Sequence, residues 1–122
     1  MEISIPNIKE IETLSAKLSK YTLRTPIIRC PSLEAQLNFE AEIFAKLEFL
    51  QQTGSFKVRA ALTALRSLSS AKLKNGVVAV SAGNHAIATA YAAKVFSTSA
   101  KVIMTRSANP SRISSCKSHG AK

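Results

Sequence analysis

The side chain with the most chemistry open to it in this chain is Lys57, in the run Gln51-Gln52-Thr53-Gly54-Ser55-Phe56-Lys57-Val58-Arg59-Ala60-Ala61. Gly54 permits a tight turn, Thr53 or Ser55 is expected to cap the helix that follows, and Lys57 then falls in that helix's first turn. A helix N-terminus carries partial positive charge, which disfavours an ammonium and favours a neutral, nucleophilic amine. Such an amine forms Schiff bases with carbonyl compounds. Phe56 is placed to supply an apolar wall beside it. On spacing alone, a solvated lysine at a helix start is the ordinary outcome.

A second run, Ser81-Ala82-Gly83-Asn84-His85, follows an apolar strand pattern and opens a helical one. That position, beyond a strand end in an α/β sheet, is where such sheets bind ligands. Backbone N–H groups are expected to point outward together there, with Gly83 permitting close approach, so a carboxylate fits. Asn84 has two readings from its residue type, a ligand contact or a plain helix N-cap, and both stay open. His85 reads as a structural hydrogen-bonder and His119 as a solvated side chain, because no second His, Cys or acid stands at metal-ligand spacing. Cys30 and Cys116 are far apart and read as buried or incidental thiols, without a disulfide or zinc pattern.

The elements that must position these groups follow from periodicity. Ile8, Ile11, Leu14 and Leu18 give an amphipathic helix over 8–20, with Asn7 and Glu10 as a capping box. Thr25-Pro26 forces extended backbone into a short strand at 27–29, Ser32 is expected to cap a short helix, and alternating Ile43, Ala45 and Leu47 predict a strand over 42–48. Val58, Ala61, Leu62, Leu65 and Leu68 form the buried stripe of the helix that starts near Lys57. Asn75-Gly76 marks a turn, and Val77–Val80 reads as a parallel strand covered on both faces. A helix over 84–95, rich in alanine for close packing, then a strand over 100–104 and a helix entered through Asn109-Pro110 complete the order. Alternating strand and helix predict an α/β fold: a three-layer parallel sheet with flanking helices and right-handed crossovers.

Composition bounds the rest. With 122 residues, 46% of them hydrophobic, the chain is long enough for a modest core. It shows no membrane-spanning run and no leader pattern, so a cytoplasmic location is expected. The net charge of +10 is uneven: all seven acids lie in residues 1–48, and residues 49–122 hold bases only. Such a field attracts anions, but the bases are scattered singly, so nucleic acid is not an expected partner.

Two motifs together, Lys46-Leu47-Glu48-Phe49-Leu50-Gln51-Gln52-Thr53-Gly54-Ser55-Phe56-Lys57-Val58-Arg59 and Ser81-Ala82-Gly83-Asn84-His85-Ala86, resemble the threonine dehydratase and serine racemase family, pyridoxal-phosphate enzymes of the tryptophan-synthase-like fold (fold type II). The likeness extends from Arg24-Thr25-Pro26-Ile27 to Lys101-Val102-Ile103-Met104. The resemblance implies that Lys57 is the Schiff-base lysine holding pyridoxal 5'-phosphate, that Phe56 and Asn84 contact this cofactor, and that Ser81, Ala82, Gly83, Asn84 and His85 hold a small amino-acid substrate. No metal is implied. It further implies a division into residues 1–76, part of the large domain carrying Lys57, and 77–122, the start of the small α/β domain with the substrate loop. The activity implied is that of an ammonia-lyase converting L-threonine or L-serine to a 2-oxo acid and ammonia, with Lys57 taking the α-proton. Racemases of the family carry a serine where Ala82 stands, so a dehydratase is expected instead. A cysteine-synthase relative is disfavoured by His85.

Departures from the family pattern are Ala60, Ile87 and Thr105, and above all glycine. The four glycines, Gly54, Gly76, Gly83 and Gly120, form no run, so the glycine-rich cradle for the cofactor phosphate has no counterpart in these residues. The expectation is therefore an N-terminal portion of such an enzyme with little or no activity alone, and the partners expected are a further copy in a homo-oligomer or a complementing chain. The competing expectation is a non-catalytic basic α/β module binding an anionic partner or a full-length homologue.

Overall fold

The computed structural model describes residues 5–122; the first residues of the N-terminal stretch read as leader-free lie outside it. The first helix, α1, spans Ile8–Leu18 and starts with the expected capping box. The Asn7 side chain accepts the Glu10 N–H at 3.0 Å, and the Glu10 carboxylate accepts the Asn7 N–H at 2.8 Å. Strand β1 (Ile27–Arg29) follows, then a short helix α2 (Pro31–Glu34), then β2 (Phe44–Lys46). The two strands pair antiparallel, Ile28 opposite Ala45. This differs from the parallel sheet predicted by alternation, because α2 is too short to carry the chain back across a sheet and the connection closes as a wide hairpin.

A 3-10 turn over Glu48–Leu50 leads through the glycine turn into α3, Lys57–Arg66. Gly54 has φ +70°, the left-handed conformation in which a glycine was expected. Helix α4 (Ser70–Lys74) is an element that periodicity did not predict, capped by the Ser69 hydroxyl, which accepts the Lys72 N–H. Strand β3 (Val77–Val80), helix α5 (Asn84–Val95), strand β4 (Ala100–Ile103) and helix α6 (Pro110–Ser118) then form the expected crossover unit. The strands β3 and β4 pair in parallel with Val77 opposite Ala100 and Val80 opposite Ile103. On the other edge of β4, Lys122 exchanges backbone bonds with Ala100 and Val102.

The core lies between α3 and α5. Val58 and Leu62 are fully buried, with Ala61 and Leu65, against Ala86, Ala88, Ala90, Ala92 and Ala93. Alanines on α5 let the helices approach closely, and Leu62 fills the space their small side chains leave. The outer face of the β3–β4 pair is open, contrary to the expectation of a strand covered on both sides. Val78, Val80 and Ile103 are 65%, 75% and 51% exposed, since the described helices pack on one side only. Among the described residues no helix is long and apolar enough to cross a membrane.

Candidate active site

Lys57 is the first residue of α3, as its spacing required, but neither Thr53 nor Ser55 caps that helix. Phe56 occupies the cap without a side-chain bond, and the Thr53 and Ser55 hydroxyls are buried with no partner. The capping expectation fails because Phe56 already has helical angles (φ −63°, ψ −17°), which moves the start of the helix beyond the reach of those hydroxyls. The uncapped helix end leaves backbone N–H groups that a bound molecule can satisfy, whereas the two orphaned hydroxyls lie beneath the surface of the turn. Lys57 is half-buried, and its Nζ lies 5.1 Å from the centre of the Phe56 ring. Phe56 is itself exposed, so it meets the amine with one ring face and does not enclose it.

The turn before α3 is tied down by a network that residue-by-residue reading did not find. Buried Gln51 accepts the Leu23 N–H at 2.7 Å and donates to the Leu23 carbonyl at 2.9 Å. Arg59, two residues beyond Lys57, forms a two-point ion pair with Glu48 at 2.9 Å per bond and donates to the Leu23 carbonyl as well. Thr25 donates its hydroxyl to Glu48, and Lys46 donates to the Thr25 carbonyl at 2.7 Å. The Arg59 guanidinium holds the Glu48 carboxyl at a pKa of about 2, helped by Thr25 and opposed by burial. The one local signal was the Glu48/Arg59 pair flanking the glycine turn.

This pair carries a pH-dependent prediction. A carboxylate whose folded pKa lies below its ordinary 4.5 stabilises the fold fully above about pH 4.5, and that contribution is lost as pH falls toward about 2. Glu48 is 14% exposed and Arg59 36%, so solvent screening discounts the pair. Glu48→Gln is expected to cost about 1–2 kcal/mol at pH 7. Urea titrations should show the gap to the parent chain closing as the pH is lowered to 2–3, and a gap independent of pH would contradict it.

In the second run Gly83 is the N-cap of α5, without a side-chain bond, and Asn84 is the first helical residue. Asn84 therefore does not cap. Its exposed carboxamide instead accepts a hydrogen bond from Arg112 Nη1 at 2.9 Å. Not all backbone N–H groups of this loop are free, since the Ser81 hydroxyl takes that of Gly83 at 3.1 Å. The Ser81 N–H bonds to the Ile103 carbonyl, which hangs the loop on β4. A Cβ on Gly83 would lie 3.3 Å from Arg112 Nη1, so its absence lets the guanidinium come close. Ala82 is exposed and offers only a methyl group. His85 is exposed and makes no side-chain hydrogen bond among the described residues, so the structural role expected for it is not seen.

His119, expected in solvent, is half-buried edge-on to Tyr91 with ring centres 5.5 Å apart, and burial together with Lys94 pushes its pKa down. Cys116 is buried, as read, and burial pushes its thiol up. The structure thus gathers Ser81, Gly83, Asn84 and Arg112 by direct contact. Lys57 is joined to them through the packing of α3 on α5, with no hydrogen bond between the two groups among the described residues. A separate cleft of about 750 Å³, lined by Arg29, Glu34, Leu37 and Glu42 among others, contains none of these side chains.

The family profile of pyridoxal-phosphate dependent enzymes matches this chain over residues 18–122, a span that includes both Lys57 and the 81–85 loop. The chain belongs to the pyridoxal-phosphate-dependent enzyme family. Within it, the chain is 37% identical over 98% of its length to a phenylserine dehydratase of Ralstonia pickettii, and 34% identical over 97% to a catabolic L-threonine dehydratase of Staphylococcus aureus. It spans 36% and 34% of those two proteins. Among solved structures, a maize serine racemase superposes with a TM-score of 0.83 at 32% identity, covering 98% of this chain and 36% of that one. The fold is that of fold type II pyridoxal-phosphate enzymes, and the chain spans just over a third of their length.

The residues present fit one end of the cofactor. An amine, an exposed carboxamide and an uncapped helix end are groups suited to an aldehyde and to ring oxygens.

Proposed function

We propose that this chain supplies the lysine and the substrate loop of an ammonia-lyase acting on L-threonine or L-serine, organised as residues 1–76 and 77–122. Pyridoxal phosphate, when bound, supplies an electron sink for the charge left at the substrate Cα. Lys57 would hold the cofactor through Nζ and, when free of it, would be the base that takes the α-proton. The 81–85 loop and the start of α5 orient the substrate carboxylate through backbone N–H groups. Asn84 and Phe56 steady the ring. Ala82 has no group able to return a proton from the opposite face, which favours loss of the β-hydroxyl over inversion at Cα. The products are a 2-oxo acid and ammonia, 2-oxobutanoate from threonine and pyruvate from serine.

The observation that carries this reading is the release of Asn84 from helix capping: Gly83 takes the cap, and the carboxamide is exposed. The test combines the chain with pyridoxal phosphate and a complementing chain that carries the remainder of such an enzyme, and follows 2-oxo acid formed from L-threonine and L-serine by coupled NADH oxidation. Product is expected from the pair, lost in Lys57→Ala, with little or none from the chain alone. A D-amino acid appearing without 2-oxo acid would move the assignment to a racemase, the name borne by the maize neighbour.

A second reading, a non-catalytic module that binds a full-length homologue, is supported by the open apolar face of Val78, Val80 and Ile103. It predicts salt-insensitive association with such a homologue, lost in Val80→Lys, and no 2-oxo acid.

A further inference from the structure

We infer that Arg112 is a positioning residue: its guanidinium holds the oxygen of the Asn84 carboxamide, leaving the amide Nδ2–H2 group turned outward as the donor presented to a ligand. The link to the cofactor rests on the function proposed above, whereas the orientation of the amide does not.

A guanidinium only donates hydrogen bonds, so the Asn84 atom 2.9 Å from Arg112 Nη1 must be Oδ1. The choice between the two ends of the amide is thereby made by chemistry. Nothing else accounts for where Arg112 sits. It is the third residue of α6, in a first turn whose dipole disfavours a cation. No ion pair involves it among the described residues, and residues 49–122 contain no acid to pair with it locally. Its side chain reaches back 28 residues to the loop, into space that a side chain on Gly83 would crowd. With Oδ1 engaged, Asn84 presents two N–H donors, which suit an oxygen that carries negative charge, such as the ring hydroxylate of pyridoxal phosphate. The opposite orientation would set oxygen against oxygen.

The test uses the 15N-labelled chain without cofactor and follows the side-chain amide pair of Asn84, assigned by its loss in Asn84→Asp. Arg112→Met is expected to shift and broaden that pair while the other amide pairs and the unfolding midpoint stay in place. Arg112→Lys should keep it near its original position. Gly83→Ala, which crowds the guanidinium without removing it, should displace the pair as well. Pyridoxal phosphate affinity should fall about tenfold in Arg112→Met, as for loss of a charge-assisted hydrogen bond, and recover in Arg112→Lys. An Asn84 pair unmoved by Arg112→Met overturns the inference. A pair that responds to Arg112→Met in a chain that takes up no cofactor supports the positioning role and defeats the cofactor reading alone.

Discussion

Leu62→Ala is expected to destabilise the fold by about 2–5 kcal/mol, the range for removing a large buried aliphatic side chain. Leu62 is fully buried in the middle of α3 and faces the alanines of α5, which are too small to close over the space it would leave. The cost therefore lies toward the upper part of that range, because a cavity walled by helix backbone and methyl groups cannot collapse without moving a helix. Ile8→Ala on α1, where the side chain is 75% exposed, provides the contrast and should change stability by no more than about 0.5 kcal/mol. Urea unfolding of both variants measures this. Equal, small losses would mean that α3 and α5 do not form the stabilising core. The same packing joins Lys57 to the 81–85 loop, so Leu62→Ala should also weaken cofactor retention more than its distance from the amine suggests.

The second large effect is expected at Lys57 itself. With substoichiometric pyridoxal phosphate, borohydride fixes the cofactor on whichever amine it has joined, and peptide mapping then reads the position. The chain has eleven lysines, so indiscriminate reaction would place roughly a tenth of the label on each. Most of the label is expected on the peptide containing Lys57, and Lys57→Ala should lose it while unfolding at an unchanged midpoint. Lys57→Arg keeps a cation at the start of α3 but cannot join an aldehyde, so it should behave as Lys57→Ala does. Label spread evenly over Lys57 and the exposed lysines such as Lys94 and Lys101 would remove Lys57 from the role given to it.

Much of this fold is written in the order of the residues. The apolar spacing of α1 and α3, the Asn7–Glu10 and Asn109-Pro110 start signals, and the uninterrupted Val77–Val80 run all depend on residues within a turn or two of each other. Short-range geometry of this kind is written in composition and period. The antiparallel pairing of β1 with β2 was not legible, because strand direction depends on the connection, and a helix as short as α2 leaves no trace that separates a crossover from a hairpin. Helix α4 was missed for a similar reason: Ser69 is as good a start signal as a stop.

The site divides along the same line. Residue type and order alone determined that Lys57 opens a helix behind a glycine turn and that Asn84 stands at the head of the next crossover. Tertiary structure alone decided that Thr53 and Ser55 are orphaned, that Gln51, Glu48 and Arg59 lash the turn to Leu23, and that Arg112 captures Asn84. Helix position is a matter of neighbours three or four residues apart. Which polar atom meets which across 28 or 36 residues is settled only when α3, α5 and α6 pack and desolvation makes one pairing better than the rest.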